Sequence, residues 1–324
     1  MDISTLSDKI NYTLSTLRYG ENPAELYEPI RYIMSLGGKR IRPLLVLLAA
    51  KMYDEDVESA LLPAAAVEVF HNFTLMHDDI MDKAPLRRGQ QTVHEKWNAN
   101  IAILSGDVML VQAYQLLLGV EQDKLSQVLK LFSKTAADVC EGQQYDMNFE
   151  QREQVSIQEY IHMITLKTAV LLGFSLELGA VLQGAPAADA EHLRLFGNNI
   201  GIAFQLRDDL LDVYGDKDKF GKQVGGDILS DKKTFLMLTA LEQANQEQLQ
   251  TIVGWRSHTN ESIAEEKVRA ITQVYDQLNI RQQTEQQIEL YFQKAIEHLD
   301  SVQVPEGQKA VIRGLALQLM ERDS

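Results

Sequence analysis

Cysteine is all but missing from this 324-residue sequence, where Cys140 stands alone. One thiol can form neither an intramolecular disulfide nor a cysteine-based zinc site, which fits a reducing compartment. Cys140 is expected to be core filler. Basic residues are in deficit: 31 Lys and Arg against 46 Asp and Glu leave a formal net charge of −15. That balance excludes a general binder of nucleic acid or of anionic membranes, because both are repelled by such a field. Long apolar runs are lacking too. The longest, Leu44 to Ala50, falls far short of the roughly 20 residues a membrane span needs, so no stable membrane insertion is expected. An acid stands in Met1-Asp2-Ile3-Ser4-Thr5 where a signal peptide would carry bases, and the chain reads as soluble and cytoplasmic. Serine/glycine linkers, charge blocks, low-complexity segments and short repeats are all missing, so residues 1–324 read as a single domain. At roughly 300 residues such a domain can bury about three quarters of its unfolded surface.

Proline is scarce, at seven residues, and apolar residues recur between the prolines at spacings of three and four, the period of a helix. Ile3, Leu6, Ile10, Leu14 and Leu17 form one stripe, and Leu61, Ala65, Val69, Phe73 and Met76 another. The same pattern predicts helices over about 99–119, 122–149, 156–183, 188–214, 232–253, 261–298 and 306–322. Turn residues fall between them, as at Gly20-Glu21-Asn22-Pro23, Gly37-Gly38 and Gly184-Ala185-Pro186. No strand pair or Asn-Gly hairpin is legible, and the fold class is all-α.

Two acidic motifs share one pattern. His77-Asp78-Asp79-Ile80-Met81-Asp82 and Arg207-Asp208-Asp209-Leu210-Leu211-Asp212 both read Asp-Asp-x-x-Asp. Residues i and i+4 of a helix share a face, so Asp78 with Asp82, and Asp208 with Asp212, can each present two carboxylates to one point. Three like charges in one turn repel unless a cation compensates, and all-oxygen ligands suit a hard ion such as Mg²⁺. One such motif can be an exposed acidic face. Two, each after an apolar helical run, point to metal. Bases gather separately: Lys39, Arg40 and Arg42 after two glycines, Arg87-Arg88-Gly89 just past the first motif, Lys167-Thr168 inside an apolar helix, and Lys222 and Lys232 around a glycine-rich stretch after the second. Lysine and arginine donors together with Mg²⁺ are what a diphosphate needs.

In this combination the sequence resembles the trans-isoprenyl diphosphate (polyprenyl) synthases, of short-chain farnesyl or geranylgeranyl type. The resemblance spans roughly residues 36 to 234 and rests on Gly-Gly-Lys-Arg-Ile-Arg-Pro at 37–43, His-Asp-Asp-Ile-Met-Asp at 77–82, Arg-Arg-Gly at 87–89, Gly-Gln at 142–143, Lys-Thr at 167–168, Phe-Gln-Leu-Arg-Asp-Asp at 204–209 and Gly-Lys at 221–222. It implies a single-domain antiparallel helical bundle around a deep central cavity, a homodimer, and two acidic motifs facing each other across the cavity mouth. The implied reaction joins isopentenyl diphosphate head-to-tail to an allylic diphosphate with three Mg²⁺ ions per active site. Asp78, Asp82, Asp208 and Asp212 would be the metal ligands. Arg87, Lys167, Lys222 and Lys232 would complete the allylic cradle, and Lys39, Arg42, His71 and Arg88 would hold isopentenyl diphosphate without metal. Thr168 and Gln205 would offer oxygens to the carbocation. His77 would be a structural residue or a neighbour of the ligand-binding ones, and His94 and His162 are assigned structural places. The family's second Gly-Lys appears here as Asp231-Lys232, so the lysine is kept and the turn glycine is not, and Arg322 is the only base in Met320-Glu321-Arg322-Asp323-Ser324.

Product length has its own signal. One helical turn rises about 5.4 Å, roughly one isoprene unit, so bulk one turn below Asp78 would floor the cavity. Phe73 and Thr74 occupy that level. One aromatic there, with no insertion inside the first acidic motif, resembles short-chain members, which implies products of fifteen to twenty carbons with twenty favoured by the small Thr74; Phe73 as plain core filler is the competing reading. Against the synthase stand a terpene cyclase, which would not need Gly37 to Arg42 or Arg88, a His-Asp metal phosphohydrolase, which leaves the second motif unexplained, and a non-catalytic synthase subunit, which would have lost aspartates or arginines.

Overall fold

A computed structural model describes residues 2–215, 225–256 and 263–320. Helices dominate it, and they begin and end where side-chain chemistry allows. Asp2 caps α1 (Ile3–Thr16) through Thr5 N–H at 2.8 Å, and the stripe Leu6, Ile10, Leu14 is its buried face. There follow α2 (Ala24–Ser35), α3 (Ile41–Lys51) and α4 (Leu61–Met81), whose stretch from Ala64 to Phe70 is buried throughout. Asn98 caps α5 (Ala99–Leu117) through Ile101 N–H, and α6 runs Gln122–Gln151. Ser156 and Glu159 form a reciprocal capping box at the start of α7 (Ile157–Ile164). A π-helical turn, Thr165–Ala169, joins α7 to α8 (Val170–Leu182), and α9 (Ala187–Tyr214) carries the second acidic motif. A single helical turn at Gly226–Leu229 precedes α10 (Phe235–Gln243), α11 (Gln246–Trp255), α12 (Ala264–Gln277), α13 (Ile280–Ser301) and α14 (Glu306–Met320).

Four features depart from the sequence reading. The helix expected over 232–253 breaks at Ala244-Asn245, because Asn245 forms a second capping box with Gln248. The one expected over 261–298 breaks at Asn279, which sits in the left-handed region at φ 55°. A minimal antiparallel pair, β1 (Leu86–Arg87) with β2 (Gln90–Gln91), closes through Arg88 at φ 53° and Gly89 at φ 75°. A two-residue turn with both φ positive suits a hairpin, but an arginine in its first place gives no sequence signal. Cys140 is exposed on α6, so it is not core filler.

The described chain divides into two compact units. The first comprises residues 1–135, 172–194 and 301–312. Its core joins α1, α3 and α4 with Met109, Phe132 and Phe174, all essentially excluded from water. Close approach of α8 to α3 depends on Gly179, where a Cβ would stand 2.1 Å from the Val46 carbonyl oxygen. The second unit comprises residues 136–171, 195–300 and 313–324 and is built around Tyr160, Ile164, Leu206, Leu210, Leu236, Ile271 and Tyr275. Among the described residues two helices are long and apolar enough to cross a membrane by length and composition alone, Ala99–Leu117 and the continuous Ile157–Leu182, and 78% of the latter's most apolar window is buried within the protein.

Candidate active site

In the first unit the middle aspartate of the motif has a different task from its neighbours. Asp79 is 2% exposed, and the Arg87 guanidinium grips both of its oxygens: Nε donates to Oδ1 and Oδ2 at 2.9 Å each, and Nη2 lies 2.7 Å from Oδ1. Asp78 is partly exposed, with Arg87 Nη2 3.9 Å from its Oδ2, and Asp82 is exposed at the end of α4. The arrangement follows from helical geometry, since Asp79 turns inward where Asp78 and Asp82 share the outward face. The β1–β2 hairpin sends the two adjacent arginines apart. Arg87 turns back to Asp79, while the Arg88 guanidinium fills the space beside Gly38, where a Cβ would meet Nη2 at 2.8 Å.

Arg88 has company. Arg42, on the first turn of α3, donates from Nη1 to His71 Nε2 at 3.2 Å. Guanidinium has no acceptor, so Nε2 must accept and the ring proton resides on Nδ1. Burial, then the charges of Arg42, Arg88 and Arg87, hold His71 well below its ordinary value, so it is neutral at physiological pH. Arg42 Nε is buried with no hydrogen-bond partner among the described residues. Under this group lies Glu68, 3% exposed and bonded by Asn72 Nδ2 at 3.1 Å. Burial raises its carboxyl, and Arg42, Arg40 and Arg88 oppose the rise. Lys39 is exposed in the turn before α3, where Gly37, Gly38 and Arg40 all have positive φ.

Further down α4, Phe73 is 7% exposed and packs on Phe70 (ring centroids 5.6 Å apart) and His77 (4.8 Å), and Thr74 bonds its own helix at the His71 carbonyl. His77 donates from Nε2 to the Ile103 carbonyl at 3.1 Å and rests on Gly106, where a Cβ would be 2.2 Å away. It is thus a packing residue between α4 and α5, as its expected structural place requires.

The second unit repeats the division of labour. Asp209, 5% exposed, accepts from the Tyr160 hydroxyl and from Gln205 Nε2 at 3.2 Å. Burial pushes it up to about 7, with Asp227 adding to the rise and Tyr160, Lys232 and Gln205 opposing it. Because Gln205 spends its amino group on Asp209, its carbonyl is left facing Thr168, whose hydroxyl donates to it at 3.4 Å. Asp208 is exposed. Asp212 is partly exposed and accepts the Asp227 backbone N–H at 2.9 Å. Lys167 pairs with Asp146 of α6 at 2.6 Å. Both Lys167 and Thr168 sit on the π-helical turn, a local widening often found at functional sites. Gly142 explains how α6 can pass so near: a Cβ there would lie 2.2 Å from the Lys167 backbone nitrogen. Lys232 is exposed, 3.7 Å from Asp227. Lys222 and Arg322 lie outside the described residues.

Lys39, Arg42, His71, Phe73, Thr74, Asp78, Asp82, Arg87 and Arg88 therefore belong to the first unit, and Lys167, Thr168, Gln205, Asp208, Asp212 and Lys232 to the second. Sequence reasoning missed Glu68, Asp146, Tyr160 and Asp227. Glu68 alone carried a signal, as an isolated acid in the apolar run Ala64 to Phe70, three residues before His71.

The family model for polyprenyl synthetase matches residues 23–273. The chain belongs to the polyprenyl synthetase family. The geranylgeranyl diphosphate synthase of Methanosarcina mazei is 40% identical over 244 residues, covering 75% of each protein. A crystal structure of a geranylgeranyl pyrophosphate synthase superposes with a TM-score of 0.94 at 43% identity, covering all of both chains. A polyprenyl synthase from Caulobacter crescentus, complexed with calcium and isoprenyl diphosphate, is 27% identical, with a TM-score of 0.85 over 99% of this chain and 96% of the other. These likenesses give no support to a terpene cyclase or to a non-catalytic subunit.

Proposed function

We propose that this polyprenyl synthetase is a prenyltransferase that condenses isopentenyl diphosphate head-to-tail with allylic diphosphates to give all-trans products of fifteen to twenty carbons. The observation that carries this reading is the contrast within each acidic motif. The middle aspartates, Asp79 and Asp209, are buried on internal partners, while Asp82 and Asp208 are exposed and Asp78 and Asp212 partly so. Oxygen-only donors on exposed helix faces fit a hard divalent cation. Asp78 and Asp82, and Asp208 with Asp212, would hold Mg²⁺, three ions per site, supplying positive charge against a departing diphosphate.

The chain's own residues do the rest. Arg87, Lys167, Lys222 and Lys232 take the oxygens of the allylic diphosphate. Asp146 holds the Lys167 ammonium in place until substrate arrives. Lys39, Arg42, His71 and Arg88 bind the isopentenyl diphosphate, with neutral His71 orienting Arg42 and offering its Nδ1–H. Thr168 and Gln205 present dipoles to the developing carbocation without acting as nucleophiles. Departing diphosphate removes the final proton, so no side chain need be a strong base. Phe73 and Thr74 set the floor of the cavity.

The family match runs through both units, which supports reading 1–324 as one synthase domain. Leu104, Val111 and Leu118, exposed by 58%, 55% and 58% at intervals of seven along and just beyond α5, support a homodimer built on that face. The chain is placed in the cytoplasm, in keeping with its single cysteine. Incubation with labelled isopentenyl diphosphate, each allylic primer and Mg²⁺, followed by sizing of the products, tests the proposal. Twenty-carbon products are expected to dominate, and no elongation with any primer would defeat it.

A further inference from the structure

Residues 225–232 form a short span that carries Asp227 and Lys232, and both of its ends are fastened. At the first end, the Gly225 N–H donates to the Asp212 carbonyl at 2.6 Å and the Asp227 N–H to the Asp212 carboxylate at 2.9 Å. Gly225 has φ 86°, and a Cβ on it would stand 2.7 Å from the Val268 side chain of α12. At the other end, Asp231 adopts the left-handed conformation at φ 53° in the place where glycine would be unstrained. Its N–H reaches the Ile228 carbonyl at 3.2 Å, and the next N–H, of Lys232, reaches the Asp227 carbonyl at 2.9 Å.

What holds Asp231 in this shape is a lysine with no place in the chemistry described so far. Lys267, beside Val268 on α12, is 1% exposed. Its ammonium pairs with Asp231 Oδ1 at 2.8 Å and donates to the Leu229 carbonyl at 3.3 Å. A buried ammonium is costly unless paired and hydrogen-bonded, and both of these partners belong to the same four-residue turn. Side-chain ion pairing thus does for Asp231 what absence of a Cβ does for glycine.

We infer that Lys267 is a positioning residue which, through Asp231 and the Leu229 carbonyl, fixes the turn that sets Lys232 beside Asp227 and the second acidic motif. The inference rests on Lys232 being part of the diphosphate cradle. Replacing Lys267 frees the turn to relax toward extended backbone and carries Lys232 away from the site. Replacing Asp231 by glycine as well lets the backbone hold the same conformation unaided.

The test is calorimetric binding of inorganic pyrophosphate with Mg²⁺ to the full chain and to three variants, with KM for isopentenyl diphosphate measured alongside. Lys232→Ala and Lys267→Met are each expected to weaken pyrophosphate binding about tenfold. The double variant Asp231→Gly/Lys267→Met is expected to return to within about threefold of the original. KM for isopentenyl diphosphate should stay unchanged throughout, which a general loss of structure would not allow. If Lys232→Ala binds like the unaltered chain, the cradle reading fails and this inference with it. If Lys232→Ala weakens binding but Lys267→Met does not, or both substrates suffer alike, the positioning role alone is overturned. Should Lys267→Met not fold, the double variant decides, and binding as weak as that of Lys232→Ala overturns the role.

Discussion

Replacing Asp79 by asparagine keeps the size of the side chain and removes the charge that holds Arg87. Asp79 has 3% side-chain exposure and Arg87 25%, and three nitrogen-to-oxygen approaches of 2.7 to 2.9 Å join them. Breaking a buried ion pair from one side costs about 3–5 kcal/mol. Water can reach part of the Arg87 guanidinium, and asparagine retains one acceptor, so the lower figure of about 3 kcal/mol applies. Unfolding entropy of about 2 cal/mol/K per residue gives roughly 0.7 kcal/mol/K for a chain of this length, and the melting temperature should fall by about 4 °C. Arg87→Gln should do comparable damage from the other side. The double variant should lose about 2 kcal/mol less than the sum of the singles, because the second change removes a group already without its partner. Thermal melts of the four proteins in one buffer measure this. Additive losses, or an Asp79→Asn protein melting within about 1 °C of the original, would refute the claim that Asp79 is spent on Arg87.

Three further expectations concern stability and product. Burial pushes the Glu177 carboxyl up to about 7, with Arg194 opposing from 3.9 Å and Glu191 adding to the rise. A folded-state value above the unfolded one favours the protonated carboxyl, so the stability it lends is complete below about pH 4.5 and is lost as pH rises through about 7. Glu177→Gln should therefore stabilise the protein at pH 8 but not at pH 4, by at most about 3 kcal/mol in denaturant titrations. Gly142→Ala puts a methyl group where the Lys167 backbone stands and should lower kcat at least about tenfold by displacing Lys167 and Thr168, as measured by steady-state turnover. Phe73→Ala should lengthen the products, and an unchanged distribution on product sizing would assign Phe73 to packing alone.

Much of this was legible before any coordinates, and the reasons are specific. The stripe Leu6, Ile10, Leu14 gave α1 because burial on one face follows directly from a 3.6-residue period. Both acidic motifs could be placed on helices from the apolar runs before them. Helical spacing already paired Asp78 with Asp82 and set Asp79 on another face, but what holds the middle aspartates, Arg87 in one motif and Tyr160 with Gln205 in the other, could not be read. Those partners lie 8, 49 and 4 residues away along the chain. Asn245 and Asn279 broke two predicted helices since a cap and a left-handed residue override an apolar period that continues past them. The loss of glycine at Asp231 was visible as a departure, while its compensation by Lys267, 36 residues further on, required the fold.

The division of labour within each motif is the claim on which the account turns, and Mg²⁺ binding measures it most directly. Calorimetric titration in the presence of inorganic pyrophosphate should show that Asp78→Asn weakens binding of the ion about tenfold or more, whereas Asp79→Asn stays within about threefold of the original despite its lower melting temperature. Equal loss of Mg²⁺ in the two variants, or a greater loss in Asp79→Asn, would contradict it.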